Sequence, residues 1–142
     1  MVTVTLKGKG LPYTHELKSL GVVGRRRARE CFARVELKGR VLDIGEENEL
    51  KCLMEEWGDV EIDSTFRCDF NKTLRSNGGS YDTVLCFEVM EHLMNPAHFM
   101  TLLWAILKKD GVLYLTTPRK SLFRQLDQHF TEYGKGDLEK VV

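Results

Sequence analysis

The sequence predicts an α/β domain with a mostly parallel sheet, and two strand-helix-strand units carry this prediction. The first unit covers residues 40–63 and the second covers residues 81–118. In the second unit, residues 84–87 are an apolar run of strand length without alternation, which is typical of a strand covered on both faces. We expect the crossover of this unit to be right-handed.

The first unit starts with a short apolar strand that ends in Asp43 and Gly45. A helix is predicted next, with Gly58 as its stop, because apolar residues recur at i, i+3, i+4 and i+7. These residues are Leu50, Leu53, Met54 and Trp57. Residues 60–63 are the next predicted strand, and Asp63 at its carboxyl end follows Asp43 by twenty positions. An acid at that offset can accept hydrogen bonds from a ribose diol, in the crevice outside the strand ends.

The second unit has clear boundaries for its helix. Asn95 is a predicted cap and Pro96 suits the first helical position. Lys108 and Lys109 suit the last turn, and Gly111 is the predicted exit. The apolar residues at helical spacing are Phe99, Leu102, Leu103, Ile106 and Leu107. A strand over residues 112–116 follows, and Pro118 stops it.

Composition bounds the class of protein. At 142 residues we expect one core domain at 39–142, preceded by an N-terminal extension at 1–38. The formal net charge is zero and 42% of residues are hydrophobic, which argues against a disordered or polyanion-binding protein. We find no export signal and no membrane-spanning stretch, so a cytoplasmic location is expected. Four scattered cysteines predict reduced thiols, with neither a disulfide frame nor a metal site.

The extension contains a basic cluster, with four arginines at 25–29 opening a predicted helix that runs to about residue 35. Such a cluster could meet a phosphate or a nucleic acid. Acidic neighbours at Glu30 and Glu36 and the neutral chain favour a solvated helix face. We therefore expect no nucleic-acid partner.

Several motifs together resemble the class I S-adenosylmethionine-dependent methyltransferases, particularly members that act on small molecules. The similarity covers roughly residues 39–133 and is most specific over 81–118. It implies a Rossmann-like three-layer fold with S-adenosylmethionine as cofactor and a small polar molecule as methyl acceptor. The motifs are VLDIG at 41–45, the acid after the second strand, CDF at 68–70, YDTVLCFEVMEHLMNP at 81–96 and LKKDGVLYLTTP at 107–118.

The resemblance also implies roles for individual residues. Asp43 and Gly45 would border the methionine part of the cofactor, Asp63 would accept the ribose hydroxyls, and Asp69 would face the adenine amine. The cofactor wall at the end of the 84–87 strand would be lined by Phe87 and Glu88. The residues near the acceptor would be Glu91 and His92, with His92 as the candidate base.

Each of these residues also has a structural interpretation. Asp43 and Asp63 could simply end strands or begin turns by bonding to nearby N–H groups. Glu88, Glu91 and His92 could form the exposed face of a short helical turn before the next helix. Both interpretations stay open at the level of sequence.

The turn after Gly45 departs from the family pattern, because Glu47 and Glu49 stand where later glycines are expected. Glycine there tolerates unusual backbone angles and lets a ligand approach the main chain. Carboxylates in this turn would repel a pyrophosphate but suit the cationic ammonium and sulfonium groups of S-adenosylmethionine. A nicotinamide enzyme is therefore disfavoured. The alternative is a non-catalytic methyltransferase-like domain that serves as a binding or regulatory partner.

Spacing predicts a small sheet of four or five strands. Only 18 positions separate Asp63 from Tyr81, enough for a short edge strand at 66–70 but not for a helix and a strand together. The 26 residues after Thr116 are expected to be too few for the last two strands of the family. The predicted order is 3-2-1-4-5. We expect the exposed edge of the last strand, 112–116, to be covered by the first 24 residues, by the C-terminal segment, or by a partner protein or second copy in a homodimer.

Overall fold

A computed structural model of the protein describes residues 35–45 and 49–117. The side chains of Glu49, Leu50, Leu53, Glu56 and Trp57 lie outside this description. So do the predicted basic helix of the extension, the glutamates at 46 and 47, and everything after Thr117, including the predicted loss of two strands. The elements are β1 (Val41–Asp43), α1 (Glu49–Gly58), β2 (Ile62–Ser64), β3 (Tyr81–Phe87), α2 (Pro96–Ile106) and β4 (Leu107–Thr116), with a 3-10 turn at Met90–His92 before α2.

The four strands form one parallel sheet in the order β2-β1-β3-β4. Leu42 of β1 pairs with Asp63 of β2 on one side and with Val84 of β3 on the other. This order matches the predicted one without its edge strand, because residues 65–80 contain no strand. The predicted parallel α/β architecture is confirmed, with four strands in the described part of the chain.

The two helices pack on opposite faces of the sheet, which gives three layers. Alternate strand residues make this division: Val41 packs on the α1 side with Met54, whereas Leu42 packs on the α2 side with Phe99. Buried on the α2 side are also Val84, Cys86, Met100 and Leu103, and on the α1 side Ile62 and Leu85. Strands covered on both faces need apolar residues at every position, which explains the uninterrupted run at 84–87.

The end of α2 differs from the prediction. The helix stops at Ile106, and Leu107 takes an extended conformation that pairs with Tyr81 of β3. The next paired residue is Val112, opposite Thr83, so residues 108–111 form a bulge against a single residue of β3. Lys108 leaves the helix axis and pairs with Asp82 at 2.7 Å between Nζ and Oδ2. Sheet pairing and this ion pair therefore replace the last helical turn that the two lysines had predicted.

Gly111 has a packing role in this bulge. A Cβ at this position would lie 2.9 Å from the Leu107 side chain and 3.0 Å from the Lys108 carbonyl oxygen. Glycine is needed because the chain folds back closely on itself before β4 resumes.

Both described helices are short, 10 and 11 residues. Within the described part of the chain, neither has the length and apolar character needed to span a bilayer.

Candidate active site at the carboxyl edge of the sheet

All four strands run in the same direction, so their carboxyl ends meet at one edge. There Thr65 binds Gly45 in both directions: its Oγ1 accepts from the Gly45 N–H at 2.9 Å and donates to the Gly45 carbonyl at 3.2 Å. Across the edge, the Glu88 N–H donates to the Thr116 carbonyl at 3.0 Å. These bonds fix the loops that follow β1, β2 and β3 against one another. In open α/β sheets this crevice is the usual ligand site.

Gly45 has the backbone conformation that the site requires of a glycine. Its φ is +145°, which side-chain-bearing residues rarely adopt, and a Cβ built there would meet nothing within 4 Å. The space beside its main chain is therefore open. A ligand can approach the backbone closely at this point.

Acidic side chains lie around this edge on two neighbouring strands. Asp43 is 8% exposed and Glu91 is 1% exposed, so both carboxylates are largely shielded from water. Burial, followed by the charges of Asp43 and Glu91, raises the pKa of the Cys86 thiol between them. Cys86 is therefore a protonated core side chain. The two acids contribute negative potential to one region of the edge.

Glu88 connects β3 to the short turn at 90–92 in an unusual conformation. Its φ is +56°, the left-handed region that costs energy for any residue with a side chain. Its Oε1 accepts a hydrogen bond from Thr116 Oγ1 at 3.0 Å. The strained backbone directs Glu88 away from the direction in which β3 would continue. Such conformations concentrate at functional sites.

Glu91 and His92 form an acid-imidazole pair at the end of this turn. The Glu91 Oε1 lies 3.8 Å from His92 Nε2, and its Oε2 accepts from Thr117 Oγ1 at 3.3 Å. Burial and the nearby Glu88 charge raise the pKa of Glu91 above its usual value, although its own backbone, His92 and Thr117 oppose them. The His92 side chain is 46% exposed. The arrangement places an accessible imidazole over a buried carboxyl group.

Asp63 lies in β2 and is engaged by neighbouring groups. Arg40 donates to its Oδ2 at 3.0 Å, and Asn77 donates to its Oδ1 at 3.1 Å. Burial works to raise the pKa of Asp63, but the Asn77 amide, the Tyr81 hydroxyl and the Arg40 guanidinium outweigh it and hold the pKa below its usual value. Arg40 in turn lies over the Tyr81 ring at 4.5 Å and donates to the Gly78 carbonyl. The predicted ribose contact thus requires this carboxylate to exchange partners.

Asp69 lies in the loop between β2 and β3 and is exposed. Its Oδ1 accepts from the backbone N–H of Asn71 at 3.0 Å and from the Asn71 side-chain amide at 3.1 Å. These two bonds, helped by Lys72, lower the pKa of Asp69 below its usual value. The carboxylate is therefore ionised and held in one orientation, and its predicted adenine contact stays a prediction.

The structure thus gathers most of the predicted site residues at one edge. Phe87, the last residue of β3, is half-buried and packs with the α1-side core. Asp43, Gly45, Glu88, Glu91 and His92 lie at the ends of β1 and β3, whereas Asp63 and Asp69 are bonded to Arg40, Asn77 and Asn71. In the described part of the chain, no group of three or more His, Cys, Asp or Glu is placed to hold a metal ion.

Four residues that bear on the site were not singled out from the sequence. Thr65, Thr116 and Thr117 bond the loops at the edge, and their signal was their position directly after a predicted strand. Lys51 is 7% exposed in α1 and donates to Ser64 Oγ, the last residue of β2, at 2.9 Å. No pattern in the sequence distinguishes this lysine from a solvated one, since it lies in a run rich in charged residues.

The parallel α/β fold and the acidic edge define a class of nucleoside-cofactor domain, and comparison with known proteins identifies the family. The sequence model of a family described as "Methyltransferase domain" matches residues 15–139. The chain belongs to the class I S-adenosylmethionine-dependent methyltransferase family. The match begins before residue 39, so the predicted boundary between extension and domain stays a prediction.

A relative in rat (Rattus norvegicus) is named "Ubiquinone biosynthesis O-methyltransferase, mitochondrial". It is 35% identical to this chain over 54 residues, which cover 38% of this chain and 16% of the relative. No solved structure matches the chain significantly.

Proposed function

We propose that this protein transfers a methyl group from S-adenosylmethionine to a small polar acceptor in the cytoplasm. The observation that carries the proposal is the acidic carboxyl edge, where Asp43, Glu88 and Glu91 lie around the open main chain of Gly45. A cationic sulfonium and ammonium match carboxylates, and a glycine free of contacts leaves room for the ligand. The relative's name supports an O-methyl acceptor for that protein, and we extend only the chemical class to this chain.

The residues present fit this cofactor at its methionine end. Asp43 and Gly45 would hold the amino-acid part, Phe87 and Glu88 would line the wall, and Asp63 and Asp69 would hold the ribose and adenine. When bound, S-adenosylmethionine supplies an electrophilic methyl group on a positively charged sulfur. The chain's own contribution is alignment of the acceptor for in-line attack, which can supply much of the rate enhancement.

Proton removal from the acceptor is assigned to His92. Its imidazole is accessible, its residue type titrates near neutral pH, and the Glu91 carboxylate lies 3.8 Å from its Nε2. The carboxylate stabilises the imidazolium that forms when His92 takes the proton. Both residues follow β3 on the same turn, so they move with the cofactor wall.

The first experiment is calorimetry of the full chain with S-adenosylmethionine and S-adenosylhomocysteine. We expect both to bind, and Glu88→Gln to weaken S-adenosylmethionine binding by roughly tenfold, as expected for loss of a charged partner. Glu61→Gln is the matched control, because Glu61 is exposed at the amino end of β2. Absence of heat and of a thermal shift at millimolar ligand would disprove the cofactor assignment.

One observation favours the second candidate, a non-catalytic domain that acts as a binding or regulatory partner. The two hydrogen bonds that occupy Asp63 come from Arg40 and Asn77, so the ribose acid already has partners inside the fold. Calorimetry with Asp63→Asn discriminates the candidates. An enzyme that uses Asp63 loses affinity for S-adenosylmethionine, whereas a domain that uses Asp63 structurally loses only thermal stability.

A further inference from the structure

Two consecutive threonines at the end of β4 bond the two glutamates at the end of β3. Thr116 Oγ1 donates to Glu88 Oε1 at 3.0 Å, and Thr117 Oγ1 donates to Glu91 Oε2 at 3.3 Å. Both threonines are half-buried. Consecutive residues of a regular strand point to opposite faces. Here β4 ends at Thr116, so the backbone can turn and both hydroxyls reach the same segment.

The glutamates depend on such outside contacts because their own backbone gives them little support. Glu88 is in the left-handed region, and Glu91 lies in a single 3-10 turn whose N-cap, Val89, makes no side-chain capping bond. A three-residue turn of this kind is marginal by itself. The neighbouring strand supplies the missing constraint through Thr116 and Thr117.

We propose that Thr116 and Thr117 are positioning residues of the methyl-transfer site, with Thr116 setting Glu88 against the cofactor and Thr117 setting Glu91 beneath His92. This inference rests on the proposed function for its consequences in catalysis. The bond from Thr117 to one oxygen of Glu91 leaves the other oxygen directed to the imidazole. Rotation of the carboxyl group would break one contact or the other.

The effect of Thr117 on Glu91 has a definite sign. The groups that act on the Glu91 carboxyl are the Glu88 carboxylate, the His92 imidazole and Thr117, with the Cys86 thiol and Asp43 on the strand side. Burial and Glu88 raise the pKa of Glu91, whereas the Thr117 hydrogen bond lowers it. Loss of that bond therefore raises the pKa further. The acidic limb of the pH profile moves to higher pH, since His92 is supported by the ionised carboxylate.

The test compares Thr117→Val with Thr117→Ser in the full chain. The Glu91 pKa is measured by NMR on chain labelled with ¹³C at the glutamate side-chain carboxyls, with Glu91→Gln used to assign the signal. We expect a higher Glu91 pKa in the valine variant and a value close to the original in the serine variant. With a methyl acceptor identified, the valine variant should lose about tenfold in kcat, because a hydrogen bond to a charged group is removed.

Thr116→Val gives the second arm, with a different kinetic signature. It should raise the KM for S-adenosylmethionine about tenfold with a smaller change in kcat, because Glu88 faces the cofactor. Thr101→Val is the control, since the Thr101 hydroxyl bonds only within α2, to the His98 carbonyl at 2.7 Å, on an exposed surface.

The outcomes separate the inference from the proposed function. An unchanged Glu91 pKa in Thr117→Val, or a serine variant that behaves like valine, overturns the positioning role whatever the activity. Failure of the wild-type chain to bind S-adenosylmethionine overturns the proposed function, while the NMR titration still decides whether Thr117 positions Glu91.

Discussion

Two glycines, one at each end of β1, adopt positive φ for different physical reasons. Gly39 has φ +58°, and a Cβ there would collide with the Asp82 carboxylate. Gly45 has φ +145°, and a Cβ there would meet no protein atom. Backbone conformation demands glycine at both positions, but only Gly39 is enclosed by the fold. Gly45 faces the open cleft.

This contrast predicts different phenotypes for two similar substitutions. Gly39→Ala should destabilise the fold by about 1–3 kcal/mol, from the left-handed conformation and the displaced Asp82. S-adenosylmethionine affinity should hold. Gly45→Ala should weaken that affinity by at least about tenfold, because the methyl group enters space left for the ligand. Thermal unfolding and calorimetry check the pair, and equal losses of affinity would refute the assignment of Gly45 to the cofactor cleft.

Arg40 makes stability depend on pH through Asp63. The folded pKa of Asp63 is lowered, so its contribution to stability is present above the unfolded value and is lost as pH falls through the folded one. Arg40→Met keeps the aliphatic stem over Tyr81 and removes the charge. It should cost about 1 kcal/mol near pH 7, a small value because the Arg40 side chain is 40% exposed.

The same cost should shrink as the pH falls below the ordinary Asp value of 3.8, where Asp63 becomes neutral in the variant. Denaturant unfolding at pH 7 and pH 3 measures the two differences. Lys38→Met serves as control, because Lys38 pairs with Glu36 at 3.0 Å on an open surface and should matter little at either pH. A cost that is the same at both pH values would show that Arg40 acts by packing alone.

At the scale of elements, the two ends of α2 show what the sequence can and cannot predict. The start is confirmed at Asn95 and Pro96, because capping is a local event between neighbouring residues: the Asn95 side chain accepts from the His98 N–H at 3.1 Å. The end is wrong in the prediction, because it is decided by pairing of Leu107 with Tyr81, which lies 26 residues earlier. Helical spacing carries no information about that strand pairing.

The loop before β3 is attached to the start of α2 through Asn71. Its Oδ1 accepts from the N–H groups of Met94 and Asn95 at 2.7 and 3.0 Å, while its own N–H and amide bind Asp69. The predicted adenine-side acid and the turn near the acceptor are thus mechanically joined. The sequence alone gave no sign of this connection, since the partners are 23 and 24 residues apart.

Hydrogen exchange resolves the two asparagines at α2. Asn71→Ala should speed exchange of the Met94 and Asn95 amides, whereas Asn95→Ala should speed exchange of the His98 amide and cost about 1 kcal/mol as a lost cap. Each variant is the control for the other. If Asn71→Ala leaves the Met94 and Asn95 amides unchanged, the link between the loop and the helix is not formed in solution.

At the scale of the whole molecule, the sequence predicted the layers and the site edge better than the contacts within them. Strand order and the clustering of Asp43, Gly45, Glu88 and Glu91 follow from parallel topology, which brings all carboxyl ends together. The Arg40 and Asn77 bonds to Asp63 could not be predicted, because they depend on how a loop folds across the sheet. An acid at a strand end has the same sequence signature whether it binds ribose or arginine.

The edge of β4 is where the fold as a whole makes its strongest demand. β4 is ten residues long and has one neighbouring strand, β3, in the described part of the chain, whereas the opposite edge strand, β2, has only three residues. A long edge with unpaired N–H and C=O groups invites association unless it is covered. Lys108 and Lys109 are exposed only at its amino end, so charge protects little of the apolar part at 112–115.

We therefore predict that β4 is covered on its outer side by residues 1–34, by residues after 117, or by a partner protein or second copy. Residue-resolved hydrogen exchange should show slow amides along 112–116 on the side facing away from β3 as well as on the paired side. Light scattering over a range of concentrations distinguishes the sources, because protection by a second copy weakens on dilution and protection from within the chain does not. Fast exchange of the outward amides in a monodisperse monomer would show that this edge is bare, and the prediction would then be wrong.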